Sequence, residues 1–177
     1  KANSPDKLMV VAHPDDESLF GGAALLQENG WKVVCVSNFR NTVRRKEFME
    51  AMLLAGCRYE IWDYTDEIMT PFDADTLRND LTRVLAELPW KRVVSHNQQG
   101  EYGHPHHIQI HKLMLDLVGE DLWVFGQGDD PLSESMWWQK NDLVGCYYSR
   151  KSDCYEHMQN GRFEAIIKHT TFLEKLA

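Results

Sequence analysis

Short apolar runs alternate with amphipathic helical stretches through the first two thirds of the chain, and that alternation restricts it to very few folds. A run of four or five apolar residues without polar alternation suits a strand buried on both faces, as in a parallel sheet. Parallel neighbours are joined by a crossover of a dozen or more residues, usually a helix. Residues 8–12, 33–36, 59–62, 92–95 and 122–125 read as five such strands. Between them, Leu19, Phe20, Ala23 and Leu26 share one helix face before the Asn29-Gly30 stop, and Phe48, Ala51, Met52 and Ala55 share another before Gly56. Leu77, Leu81, Val84 and Leu88 predict a helix over 75–88 that Pro89 terminates, and Ile110, Leu113, Met114 and Leu117 mark a further one. Beyond the fifth strand the periodicity fades: 126–134 reads as a loop, 143–148 as an edge strand and 163–176 as a terminal helix. The expected fold is α/β, a Rossmann-like, doubly wound, mostly parallel sheet flanked by helices, forming a single domain over 1–177. Ligands in such sheets gather beyond the carboxyl ends of the strands. The loops after Ala12 and Ser95 therefore become the places to look for chemistry.

Charge and cysteine usage narrow the function classes. A formal net charge of −8 argues against a nucleic-acid partner, which a basic stripe would announce. The one basic cluster, Arg44, Arg45 and Lys46, reads as a solvated helix face. The four cysteines are scattered, with no C-x-x-C pair of the structural-zinc kind, and suit reduced packing thiols. No run approaches the roughly 20 apolar residues of a membrane span, and Lys1–Lys7 lacks an apolar signal region. A soluble, cytoplasmic protein is expected, and a homo-oligomer is compatible with it.

The loop after the first strand reads AHPDDE, Ala12 to Glu17, with one imidazole and three carboxylates in five consecutive residues. Crowded carboxylates raise one another's pKa, whereas a divalent cation lets them stay ionised. Asp16 and Glu17 also suit a helix N-terminus, but an imidazole at a strand end before a rigid proline looks like a placed ligand. If His13 and Asp16 bind a metal, Asp15 can face the open coordination position, where a general base takes a proton from water. The loop after Ser95 reads SHNQQGEYGHPHHIQIH and holds five of the eight histidines. Pro105 suits the first helical position, so His104 and His107, three apart, can face one cavity. His96 reads as a core histidine and His106 as exposed. His111 reads as a helix-face residue or a support behind the metal ligands, since Ile108 stands where a zincin-type motif carries glutamate.

Together the two segments resemble the LmbE-like, or PIG-L, family of zinc-dependent N-deacetylases, whose hallmarks are an AHPDDE block and a later GHPDH-like block. The first is complete here; the second appears as GHPHH at Gly103 to His107, with His106 in place of the usual aspartate. The resemblance runs from the first strand to about Val118. It implies that His13, Asp16 and His107 bind Zn2+, or another divalent metal in its place, with Asp15 as general base. It further implies that His104 and Tyr102 polarise the reacting carbonyl and that Arg44, on an arginine-bearing helix with Glu47, Ala51 and Gly56, contacts the substrate. The implied reaction is removal of an N-acyl group, in the first instance acetyl, from a small amino-sugar-like molecule such as an N-acetylglucosamine derivative. Zinc would bring the pKa of its water towards about 7 and polarise the carbonyl. Three rivals use the same residues: a metal-dependent hydratase or lyase acting on a small unsaturated acid, a non-catalytic sugar- or metal-binding module, and a structural zinc protein. The pairs Trp137-Trp138 and Tyr147-Tyr148 suit a sugar-stacking wall, a core or a subunit interface equally.

Overall fold

In a computed structural model, which describes residues 4–177, the parallel strands are β1 (Lys7–Val11), β2 (Trp31–Ser37), β3 (Arg58–Tyr64), β4 (Arg92–Ser95) and β5 (Trp123–Gln127). A sixth, β6 (Glu164–Lys168), runs antiparallel beside β5, and the sheet order is β3-β2-β1-β4-β5-β6. That is the strand order of a doubly wound sheet, with its reversal between β1 and β4.

The crossovers are α1 (Asp16–Gln27), α2 (Thr42–Ala55), α3 (Ala74–Leu85) and α5 (Pro105–Val118); a single distorted turn, α4 (Gly100–Gly103), precedes the last of these. Period-two alternation sorts the strands between two cores. Met9, Val11, Val33 and Cys35 face the side covered by Phe48 and Met52 of α2. Leu8, Val10 and Val34 face Leu77 and Leu81 of α3 and Ile110 and Met114 of α5. The capping signals operate locally: Asn41 accepts from the Arg44 N–H at 3.2 Å and Asp73 from the Thr76 N–H at 2.8 Å. Gly56 closes α2 with φ of 69°, a left-handed conformation that glycine adopts without strain.

The last third departs from the expectation. Residues 143–148 form no edge strand: Leu143 and Val144 end α6 (Glu134–Val144), and Tyr147 follows one turn later. All three are buried against the α1 and α2 side of the sheet. A short apolar run cannot by itself separate a strand from a buried helix end. Nor is 163–176 one helix. Its first half is β6, whose Ile166 and Ile167 point to opposite cores, and only His169–Leu176 is helical, as α8. The helix α7 (Lys151–Met158) has no counterpart in the sequence reading, and α3 stops at Leu85 rather than Leu88.

Candidate active site

Because β1 and β4 are paired, the loops that leave them are neighbours although about 80 residues separate them in the chain. The Ala12 N–H donates to His96 Nε2 at 2.9 Å, joining the two loops at their roots. Both then turn through rare backbone conformations: Asp15 has φ of 112° and Glu101 φ of 60°, neither being glycine. Such strain clusters at functional sites. Glu17 helps to hold the first turn, accepting the Asp15 N–H at 3.2 Å while its other carboxylate oxygen takes the Ser18 hydroxyl at 2.6 Å and the Tyr147 hydroxyl.

Three atoms converge where the loops meet. His13 Nδ1 lies 3.4 Å from Asp16 Oδ2 and 3.3 Å from His107 Nε2, and the last two are 3.2 Å apart. Zinc bonds of about 2.0–2.1 Å directed to the corners of a tetrahedron set those corners about 3.3 Å apart. The triangle therefore has the size of one tetrahedral face, leaving the fourth corner for another group. The supporting hydrogen bonds choose the ring nitrogens. Glu101 Oε2 is 2.7 Å from His107 Nδ1, so in the neutral ring that nitrogen carries the proton and Nε2 keeps its lone pair. The same carboxylate oxygen takes His96 Nδ1 at 2.9 Å, and His96 Nε2 is occupied by the Ala12 N–H, which removes His96 as a ligand. Three further groups have atoms close enough to gather round a cation; Asp16 with His96 and His107 falls with His96, which leaves His13 with His104 and His107, and His13 with Asp66 and His106.

The electrostatics call for positive charge. Burial disfavours the charged form of His107, but Asp16 and Glu101 outweigh it and raise its pKa to about 10; for His13, Asp16 and Asp66 likewise overcome burial and raise it to about 9. Burial would lift Asp16, yet His107 and His13 hold it well below the usual carboxylate range. A divalent cation answers the same demand while leaving both imidazoles neutral. Asp15 differs from its neighbour. Burial, then repulsion from Asp16, raise it to about 6, with Arg44 opposing. His104 is lowered to about 3 by burial and by the nearby imidazoles, and so stays neutral; its Nδ1 accepts the His106 N–H at 3.2 Å as the cap of α5.

A cleft of about 700 Å³ opens over these groups and includes His13, Asp15, Arg44, Tyr102 and His104 in its walls. The seven residues singled out from the sequence are thus brought together. Tyr102 is half exposed, its ring 5.8 Å from that of His104. Arg44 is buried, which corrects its reading as part of a solvated face: Nη2 donates to the Pro14 carbonyl and to Asp15 Oδ2 at 3.2 Å, and Nη1, 4.0 Å from Glu47 Oε2, has no hydrogen-bond partner among the described residues. His106 is also corrected. It is fully buried, stacked on Phe72 at 4.0 Å and within 3.0 Å of His13. Tyr147 is core, whereas Trp138 and Tyr148 are exposed. The sequence reading missed Glu101, whose flanking glycines and neighbouring histidines were its only signal, and Asp66, which has no motif. It also missed Arg150, Asp153 and His157, which the C-terminal third sends into the cleft.

Comparison with known proteins adds four findings. A protein of Acanthamoeba polyphaga mimivirus, uncharacterised protein L374, is 41% identical over 137 residues, covering 68% of this chain and 61% of the relative. A probable N-acetylglucosaminyl-phosphatidylinositol de-N-acetylase of Schizosaccharomyces pombe is 26% identical over 131 residues, covering 63% and 51%. The chain therefore spans between half and two thirds of the length of these relatives. Among solved structures, the 4-carboxy-2-hydroxymuconate hydratase GalB of Pseudomonas putida superposes with a TM-score of 0.68 at 22% identity, over 88% of this chain and 83% of that one. Residues 8–118, which carry both histidine- and carboxylate-bearing loops, match the model of the GlcNAc-PI de-N-acetylases, so this chain belongs to the PIG-L family.

Proposed function

We propose that the protein is a zinc-dependent amide hydrolase that removes an N-acyl group, in the first instance acetyl, from an amino-sugar-like substrate. The observation that carries this reading is the triangle of His13 Nδ1, Asp16 Oδ2 and His107 Nε2, with edges of 3.2–3.4 Å and the strained Asp15 beside it. Three protein ligands suit a catalytic rather than a structural ion. Zinc, when bound there, supplies Lewis acidity and makes water a competent nucleophile near neutral pH.

The remaining work falls to side chains. Asp15, with a pKa of about 6, is ionised at neutral pH and basic enough to accept a proton from water and return it to the departing amine. Arg44 fixes one Asp15 oxygen and, as part of the cleft wall, is placed to contact substrate. His104 keeps Nε2 free for the carbonyl oxygen, because Nδ1 is taken by the His106 N–H. Tyr102, whose phenol burial and nearby carboxylates keep protonated, can donate to the same oxygen.

Family membership and the S. pombe relative support de-N-acetylation of an amino sugar; GalB is a hydratase with a similar fold. The two are separated by incubating zinc-loaded protein with N-acetylated sugars and, in parallel, with unsaturated hydroxy acids. Release of one primary amine and one acetate per turnover is expected. Loss of a carbon–carbon double bond with no amine released would overturn the hydrolase in favour of the hydratase, and sugar binding with neither product would leave a binding module.

A further inference from the structure

We infer that His106 and the loop of residues 65–72 hold His13 in one tautomer, so that its Nδ1 is the bare nitrogen presented to the cation; this rests on reading His13, Asp16 and His107 as the metal centre. The direction of the hydrogen bonds follows from one fixed end. The Thr70 carbonyl can only accept, and His106 Nε2 lies 2.8 Å from it, so Nε2 carries the His106 proton and Nδ1 is a lone pair. That lone pair is 3.0 Å from His13 Nε2, which must therefore be the donor. In the neutral ring, which a bound cation requires, that donation leaves Nδ1 as the bare nitrogen on the side that faces Asp16 and His107.

Other contacts reinforce this. Asp66 Oδ1 is a second acceptor at 3.2 Å from His13 Nε2, and its partner oxygen takes the Asn38 amide at 2.9 Å. Stacking on Phe72 fixes the His106 ring plane. The Thr70 carbonyl, Asp66 and Phe72 all come from the one loop, whose Ile68 lines the cleft. His106 thus does what an acceptor must do here although it stands where the family pattern has aspartate. The competing use of these atoms, a second cation held by His13, Asp66 and His106, would require His13 to give up both ring protons.

Substitution by the two carboxamides tests the relay, because asparagine places its amide near the position of Nδ1 and glutamine near that of Nε2. His106→Asn keeps an acceptor for His13; His106→Gln keeps the Thr70 contact but loses that acceptor. Zinc affinity is measured by competition with a chromophoric chelator, stoichiometry by titration, and ligand geometry by the visible spectrum of the cobalt-substituted protein. One equivalent per chain is expected, with His106→Gln weaker by about 10- to 100-fold and His106→Asn within a few fold of the parent. Asp66→Ala, on an exposed loop, should cost only a few fold alone and about a further tenfold on top of His106→Gln, since Asp66 is then the acceptor left to His13 Nε2. Equal affinities for the two carboxamide variants, or two equivalents of zinc in the parent, would overturn the relay. A parent protein that binds no zinc would instead remove the metal centre on which the relay depends.

Discussion

Asp15 carries the most information of any single position. An aspartate at φ of 112° is held there at a cost of roughly 1–3 kcal/mol, so its surroundings must over-determine it. Glu17, Arg44 and the start of α1 do so. Because Asp15 lies beside the ligand triangle rather than in it, Asp15→Asn should keep zinc within a few fold and lose at least about 100-fold in turnover, whereas His107→Ala should lose the metal; metal analysis beside an amine-release assay measures both. Equal metal loss in the two variants would contradict the division of roles. Glu101→Gln should weaken zinc by about 10- to 100-fold, since an amide no longer draws the proton onto His107 Nδ1. The proposed ligands and base could be singled out in the sequence because each block packs chemistry-bearing residues into five positions around a rigid proline. Glu101, Asp66 and the burial of His106 were not, since each depends on what a loop meets across the sheet.

Among the elements, β1, β2 and β4 could be read because each is a run of largely buried residues, while β3, partly exposed at the sheet edge, was placed by its position between two helical stretches. β6 and α6 could not: β6 is edge-on and half-buried, and α6 hides its apolar face among lysine, glutamine and asparagine. Their tertiary role explains the pattern. Lys140 of α6 is fully buried, 2.6 Å from Glu164 of β6, and donates to the Leu19 carbonyl at 2.7 Å. Glu164 accepts the Ala23 and Ala24 N–H groups, both at 3.1 Å, so the ion pair is sewn into the middle of α1. A sequence scan sees a lysine and expects solvent. Lys140→Met should therefore destabilise by about 3–5 kcal/mol, because Glu164 is left buried without its counter-charge, and a urea melt reads the loss directly. The double change Lys140→Met with Glu164→Gln should recover much of it.

For the whole molecule, the charges in the cleft couple stability to pH. Without a cation, His107 and His13 hold their protons to about 10 and about 9, against 6.5 for an ordinary histidine. A raised histidine contributes stability that is complete below about pH 6.5 and is lost as pH climbs through the folded value. Asp15 and Glu17, raised by burial to about 6 and about 7, add a loss of the same sign between pH 4 and 7. Burial lowers His96, His104, His106, His111 and His169, which act in the opposite sense below about pH 6.5, so the Tm of metal-free protein should fall from pH 7 to pH 9. Zinc requires neutral imidazoles, so the gain on adding it should grow over the same range. At a hundredfold excess over Kd the gain is about 2.7 kcal/mol, or roughly 5–10 °C for a chain of this size, read by calorimetry with and without chelator.

The family match ends at residue 118, and every proposed ligand lies inside it. Yet Tyr147 grips Glu17 beneath the first loop, the Ser149 backbone and hydroxyl clasp Glu47 at 2.6 and 2.8 Å, and Glu164 reaches into α1. The tail behaves as a buttress for a motif it does not contain. A fragment cut after Val118 would keep the complete signature by inspection while its first loop stood without backing, so possession of both blocks in a shorter relative does not by itself certify a working centre.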